Sequence, residues 1–130
     1  YMGELGVIAK YFPNVFINMN AMHSFGHSAT LRHLEDWLHT VPINKISVAG
    51  ADVESLEYVY AAARVARWFV AETLSRKVEQ GYFPLSEAEF IARLLLHDNI
   101  LNLYRLRENG EVWRRAVRNG AAASPGGGMG

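Results

Sequence analysis

Apolar positions along this chain follow two alternating rhythms, short unbroken runs and longer stretches at helical spacing, and the alternation predicts the elements. Residues Glu4 to Phe12 read as a helix that Pro13 and Asn14 end, since proline has no N–H for a helix interior and asparagine favours turns. Val15, Phe16, Ile17 and Met19 then form a compact apolar run suited to a strand buried on both faces. After a polar loop from Asn20 to His27, Ser28 is placed to cap a helix to about Thr40, with Leu31, Leu34, Trp37, Leu38 and Val41 on one stripe. Lys45 to Gly50, KISVAG, is a second short strand. A long helix is expected from about Val53 to Gln80, its apolar positions Leu56, Val59, Tyr60, Ala63, Ala66, Val70, Leu74 and Val78, with Gly81 as the residue that stops it. Ser86 and Glu89 form a capping-box pattern ahead of Phe90, Ile91, Leu94 and Leu95. A short helix restarts at Asp98 or Asn99 and runs through Leu106, and a basic one covers Glu111 to Arg118.

Helix, strand, helix, strand, helix is the order of βα units around a parallel sheet. Two apolar strands would leave two open edges, so the pattern reads as a piece of a larger sheet, and the free chain is expected to associate or aggregate. Tyr1, set directly before a helix, suggests an excerpt of something longer. The expected organisation is one segment over residues 1–120 and a disordered Gly/Ala-rich tail over 121–130.

Composition narrows the function classes. Of 130 residues 50% are hydrophobic and 20% charged, which suits a globular chain. Thirteen basic residues balance thirteen acidic ones, so no global charge draws it to nucleic acid or to an anionic membrane, and neither is expected as a partner. Charged residues interrupt every long apolar stretch, and the expected setting is the cytoplasm. The chain has no cysteine, so disulfides, thiolate metal sites and cysteine nucleophiles are excluded, and any metal would need His, Asp or Glu. No glycine-rich phosphate loop or nucleophile elbow occurs, which leaves nucleotide cofactors and serine hydrolases without support.

Asp52 is the first candidate for chemistry. It follows the second strand directly, and in parallel α/β folds side chains at strand carboxyl ends converge on the ligand crevice. A carboxylate there can bind a divalent cation or take a proton from water. The plainer alternative is that Asp52 caps the long helix. His23 and His27 follow the first strand at a spacing of four, which on a helix would let two imidazoles share a metal. Ser24 and Gly26 argue instead for a loop, where a histidine contacts substrate or forms a hydrogen bond. Tyr58, Tyr60, Trp68 and Phe69 read as core, and Arg105, Arg107, Arg114, Arg115 and Arg118 as a solvated helix face.

The phrases FPNVFINMNAMH, SATLRHLEDWLHTVPINKISVAGAD, AARVARWFVAETLSRKVEQG and LLLHDNILNLYRL, in that order, resemble the C-terminal end of the amidohydrolase superfamily, in its amidohydrolase-2 or uronate isomerase-like branch. The likeness covers about residues 4–106. It implies an α/β, helix-rich chain forming part of a (β/α)8 barrel, the last two βα units plus C-terminal helices. It further implies one or two divalent metals, usually zinc, that activate water for hydrolysis of a small-molecule substrate, or decarboxylation or isomerisation in some relatives. By this resemblance Asp52 matches the metal ligand and proton acceptor that ends the eighth strand, and His23 a substrate-facing loop position after the seventh. The family's other metal ligands lie on strands absent from this segment, so the chain alone is expected to be inactive and to hold no zinc tightly. From a different class, the same residues also read as a non-catalytic helical scaffold that covers its short sheet and homo-oligomerises.

Overall fold

The computed structural model describes residues 1–20, 26–48, 50, 55–106, 110–111, 114–115 and 118. Two compact units divide the chain, residues 1–99 and 100–130. The first contains helix α1 (Met2–Tyr11), strand β1 (Ile17–Asn18), helix α2 (His27–Thr40), a 3-10 turn (Ile43–Lys45), strand β2 (Ile46–Ser47), helix α3 (Leu56–Glu79), helix α4 (Leu85–Arg93) and a π-helical turn (Leu94–Asp98). Helix α5 (Asn99–Leu103) starts at the boundary, and the described residues of the second unit include its remainder.

β1 and β2 pair in parallel, with Ile17 opposite Ile46 and Asn18 opposite Ser47. The core gathers around this pair: Ile17, Met19, Ile46 and Val48 from the strand segments, Leu34 and Trp37 from α2, Val70 and Leu74 from α3, and Leu95 from the π-helical turn. The α2 stripe is as expected in its centre, with Leu34, Trp37 and Val41 buried and Leu31 and Leu38 at its margins. The helix nevertheless begins at His27 with Gly26 as N-cap, so Ser28 is its second residue and not its cap. Gly81 ends the long helix as expected, at φ +77°, where a side chain would be strained.

The expectation of a partial (β/α)8 barrel is overturned. Each strand is two residues long, the described chain is otherwise mainly helical, and the sheet has two strands. A barrel needs every strand paired on both edges at a consistent stagger, and the β2 edge is already taken. In a parallel ladder alternate residues turn their backbone groups to opposite sides. Ser47 faces β1, where its C=O accepts the Met19 N–H at 2.8 Å. Ile46 and Val48 face away from β1, and the C-terminal helices meet them: the Val48 N–H donates to the Leu95 carbonyl at 2.9 Å, and Asn99 Nδ2 donates to the Ile46 carbonyl at 2.7 Å. The expected pair of open edges is therefore also corrected, since helical groups seal the β2 side where another strand would pair.

The π-helical turn makes that seal possible. Its backbone closes on Leu94 O from Asn99 N–H, and the wider coil leaves the Leu95 carbonyl available to β2. Arg93 and Asp98 meet at 2.9 Å across five residues, a spacing that a regular α-helix would not bring onto one face. The expected short helix does start at Asn99, as α5, but it follows the π-helical turn without a break in the coil, and α4 begins at Leu85 behind Pro84, which puts Ser86 inside the helix and not at its cap.

α1 is held at both ends by side chains from later in the chain. Trp37 Nε1 donates to the Met2 carbonyl at 3.0 Å, and Lys45 Nζ donates to the Ala9 and Phe12 carbonyls at 2.7 Å each. The second pair places a cation on the orphan carbonyls of a helix C-terminus. Gly6 lets α1 approach α2: a Cβ there would stand 3.0 Å from Trp37 Cδ1, and Trp37, 2% exposed, has no room to retreat. Alanine gains about 1 kcal/mol of helix propensity over glycine, but overpacking costs about 1–3 kcal/mol. Gly6→Ala is therefore expected to lower stability in chemical denaturation by about 1 kcal/mol. A stabilised variant would show that α1 does not press on Trp37.

The long helix differs from its expected stripe. Ala62 is the first of its buried residues, and Ala66, Phe69, Val70, Thr73, Leu74 and Lys77 continue them, while Leu56, Val59 and Tyr60 are exposed. Of the aromatic residues read as core, Phe69 is buried, and Tyr58, Tyr60 and Trp68 are exposed.

Candidate functional site

A small cavity lies at the carboxyl ends of the two strands. Met19 follows β1, Val48 and Gly50 follow β2, Thr30 comes from the first turns of α2, and Ala62, Ala66 and Phe69 come from α3. Parallel pairing makes the two chains leave the sheet at the same end, and the small residues Gly50, Ala62 and Ala66 leave the space. Its free space is about 10 Å³, roughly the room one water molecule needs, so it admits a water or the tip of a ligand and not a whole substrate.

The lining side chains are apolar except Thr30, backbone groups supply the rest of its polar surface, and Asn20 stands beside it. Thr30 Oγ1 donates back to the Gly26 carbonyl at 3.0 Å within the first turn of α2. Asn20 is set by its backbone N–H, which donates to Asn18 Oδ1 at 2.9 Å. Its side chain lies against Gly50, where a Cβ would stand 3.3 Å from Asn20 Oδ1. That oxygen is buried and accepts no hydrogen bond from the described residues. A buried acceptor without a donor costs about 1–3 kcal/mol, and an N–H or O–H group brought by a ligand or water would relieve it.

His23 and Asp52 lie outside the described residues. Asn20 precedes His23 by three positions and Gly50 precedes Asp52 by two. The alternative that Asp52 caps the long helix is not met, because the N-cap of α3 is Ser55. His27 opens α2 and packs on aromatics, its ring 5.4 Å from that of Trp68, edge to face, and 5.5 Å from that of Phe69. It acts as an aromatic neighbour of the cavity wall, a role its spacing from His23 does not suggest.

The described lining does not fit a resident metal. Its one side-chain oxygen is Thr30 Oγ1, with Asn20 Oδ1 next to Gly50 beside it, whereas catalytic zinc takes about three protein ligands. Among the described residues no group of three or more His, Asp or Glu stands close enough to hold an ion. Among the same residues no helix is long and apolar enough to cross a membrane. Sequence reasoning missed Asn20, whose signal was only a polar residue placed directly after an apolar strand.

No family model, no curated protein and no solved structure matches this chain.

Proposed function

We propose that this chain carries the ligand-binding end of a cytoplasmic hydrolase for a small molecule, with Asp52 as the carboxylate that accepts the proton of the attacking water. The observation that supports the reading is the position of the cavity at the carboxyl ends of two parallel strands, with Asn20 Oδ1 buried beside it and lacking a donor among the described residues. Parallel α/β arrangements bind ligands at that end, where side chains leave the rigid sheet. Asp52 stands two positions beyond Gly50 in sequence, and His23, which in this reading would contact substrate, three beyond Asn20. Asn20 Oδ1 would accept an N–H of the substrate and orient its carbonyl. A carboxylate within hydrogen-bond reach of the attacking water would then take its proton as the water oxygen bonds to the carbonyl carbon, and would return that proton to the leaving nitrogen or oxygen as the C–N or C–O bond breaks. A metal, if the whole enzyme uses one, would need ligands beyond the described lining, and no step is assigned to it.

Turnover is not expected from this chain alone, so binding is the test. Acetamide, a minimal N–H donor with a carbonyl, is titrated while backbone amides and the Asp52 carboxyl carbon are followed by NMR. Shifts confined to Met19, Asn20, Val48 and Gly50, with movement of the Asp52 carbon, are expected. Asn20→Ala is expected to weaken them by about fivefold, the worth of one hydrogen bond of about 1 kcal/mol. Scattered or absent shifts would reject the ligand-binding end, and an unmoved Asp52 carbon would reject that residue's role.

A further inference from the structure

The outer face of α1 is exposed, mixes apolar and charged residues, and is patterned to match itself. With 100° between successive residues, Gly3, Glu4, Val7, Lys10 and Tyr11 share one face, directly opposite the buried Ala9. All five are exposed, Val7 by 55% and Tyr11 by 72%. Ile8 and Phe12 extend the patch at its margin and C-terminal end. Val7 sits at the centre, and the polar residues stand symmetrically about it: Glu4 three positions before, Lys10 three after. The same symmetry relates Gly3 to Tyr11, the smallest and largest side chains of the face.

We propose that α1 is the contact of a two-fold symmetric dimer of this chain, in which α1 pairs antiparallel with α1 of a second copy across Val7. That register brings Val7 against its own symmetry mate. It sets Glu4 level with Lys10 of the second copy, twice, and lays Tyr11 beside the gap at Gly3, twice. A parallel pairing would instead set Glu4 beside Glu4 and Lys10 beside Lys10, so the charge pattern selects the antiparallel arrangement. Within one copy Glu4 meets its own backbone N–H and the exposed N-terminal ammonium, the latter at 3.5 Å, and Lys10 lies 5.9 Å from the Tyr11 ring centroid. These are solvent-exposed contacts of small worth, so the charges are free to exchange partners. A ten-residue helix is about 15 Å long, which gives an interface below the ~800 Å² per partner of stable complexes. The dimer is therefore weak and reversible.

Sedimentation equilibrium from about 10 µM to about 1 mM brackets that affinity class. A monomer–dimer equilibrium is expected, weakened at least about tenfold by Val7→Asp, which buries a like-charge pair at the centre. Glu4→Lys and Lys10→Glu are each expected to weaken it several-fold, since each turns two attractive pairs into repulsive ones. The double variant, with both charges exchanged, restores it. All these positions are exposed, and circular dichroism checks that the variants fold. A chain that stays monomeric across the range overturns the proposal. So does a dimer indifferent to Val7→Asp, or a double variant no tighter than the single ones. None of these outcomes bears on acetamide binding at the strand ends.

Discussion

Asn99→Leu is expected to destabilise the protein by about 1–3 kcal/mol, the cost of stranding the buried Ile46 carbonyl, since the half-buried Ile43 carbonyl keeps the Ile46 N–H. Asn99 is 6% exposed, and its Nδ2 donates to the Ile43 and Ile46 carbonyls at 2.7 Å each. Leucine keeps the branched shape and the number of heavy atoms with bulkier methyl ends, so no cavity term enters and the loss reports hydrogen bonding with a small overpacking part. The effect has a location as well as a size. Ile46 belongs to β2, and the neighbouring Val48 N–H is held by the Leu95 carbonyl one turn before Asn99. Losing the Asn99 anchor should therefore speed exchange of the Val48 amide more than that of amides in the middle of α2. Asn99→Asp should cost more at neutral pH, because it sets a carboxylate against two carbonyls, and should recover part of the loss on acidification, when the protonated acid can donate once. Urea denaturation measures the first effect and hydrogen exchange the second. A loss below about 0.5 kcal/mol, the scale of ordinary surface substitutions, would mean that the C-terminal helices do not seal the sheet.

This same asparagine shows where the sequence stops being legible. Periodicity locates the strand segments and the centre of the α2 stripe, because those depend on residues within a few positions of each other. Gly81 is legible for the same local reason. The sealing of β2 is not, because Asn99 acts on Ile46 across 53 positions and reads in sequence only as a helix-start residue. From two apolar runs the natural inference is more sheet, and the family resemblance turns that expectation into a barrel. The structure meets the same hydrogen-bonding demand with an amide side chain and a π-turn carbonyl. The long helix was misjudged differently. Leu56, Val59 and Tyr60 have the spacing of a buried stripe, but spacing reports that a face is apolar, not that something covers it. At the site, the strand ends were legible as the place to look, whereas the donorless Asn20 oxygen was not, since only packing against Gly50 reveals it.

The ion pair between α2 and α3 should respond unequally to loss of its two partners. Lys77 Nζ lies 2.5 Å from Glu35 Oε1, and the two side chains differ in exposure, 4% for Lys77 against 35% for Glu35. The ammonium also lies 4.4 Å from the Tyr82 ring centroid and reaches Gln80 Oε1 at 3.4 Å. Glu35→Gln leaves a buried cation with a π-face and neutral oxygens for company, and a loss of about 2–3 kcal/mol is expected, below the ~3–5 kcal/mol of fully buried pairs because solvent reaches the site. Lys77→Met removes the buried charge itself, keeps the apolar stem, and leaves Glu35 able to turn to water. Its expected change is within about 1 kcal/mol of zero. The pH dependence carries the same asymmetry. The hydrogen bond from Lys77 holds the Glu35 carboxyl below its ordinary pKa, with burial opposing and the charge of Lys77 adding to the drop. A carboxylate lowered in the folded state contributes stability that is present above the unfolded-state pKa and is lost as pH falls through the folded one. Wild-type protein should therefore lose stability on acidification through the carboxylate range more steeply than Lys77→Met, whose Glu35 has lost the cause of its shift. Denaturation midpoints for both proteins across that range test the claim. Parallel curves, or a Lys77→Met variant as damaged as Glu35→Gln, would show that α2 and α3 are joined by their apolar contacts and not by this charge pair.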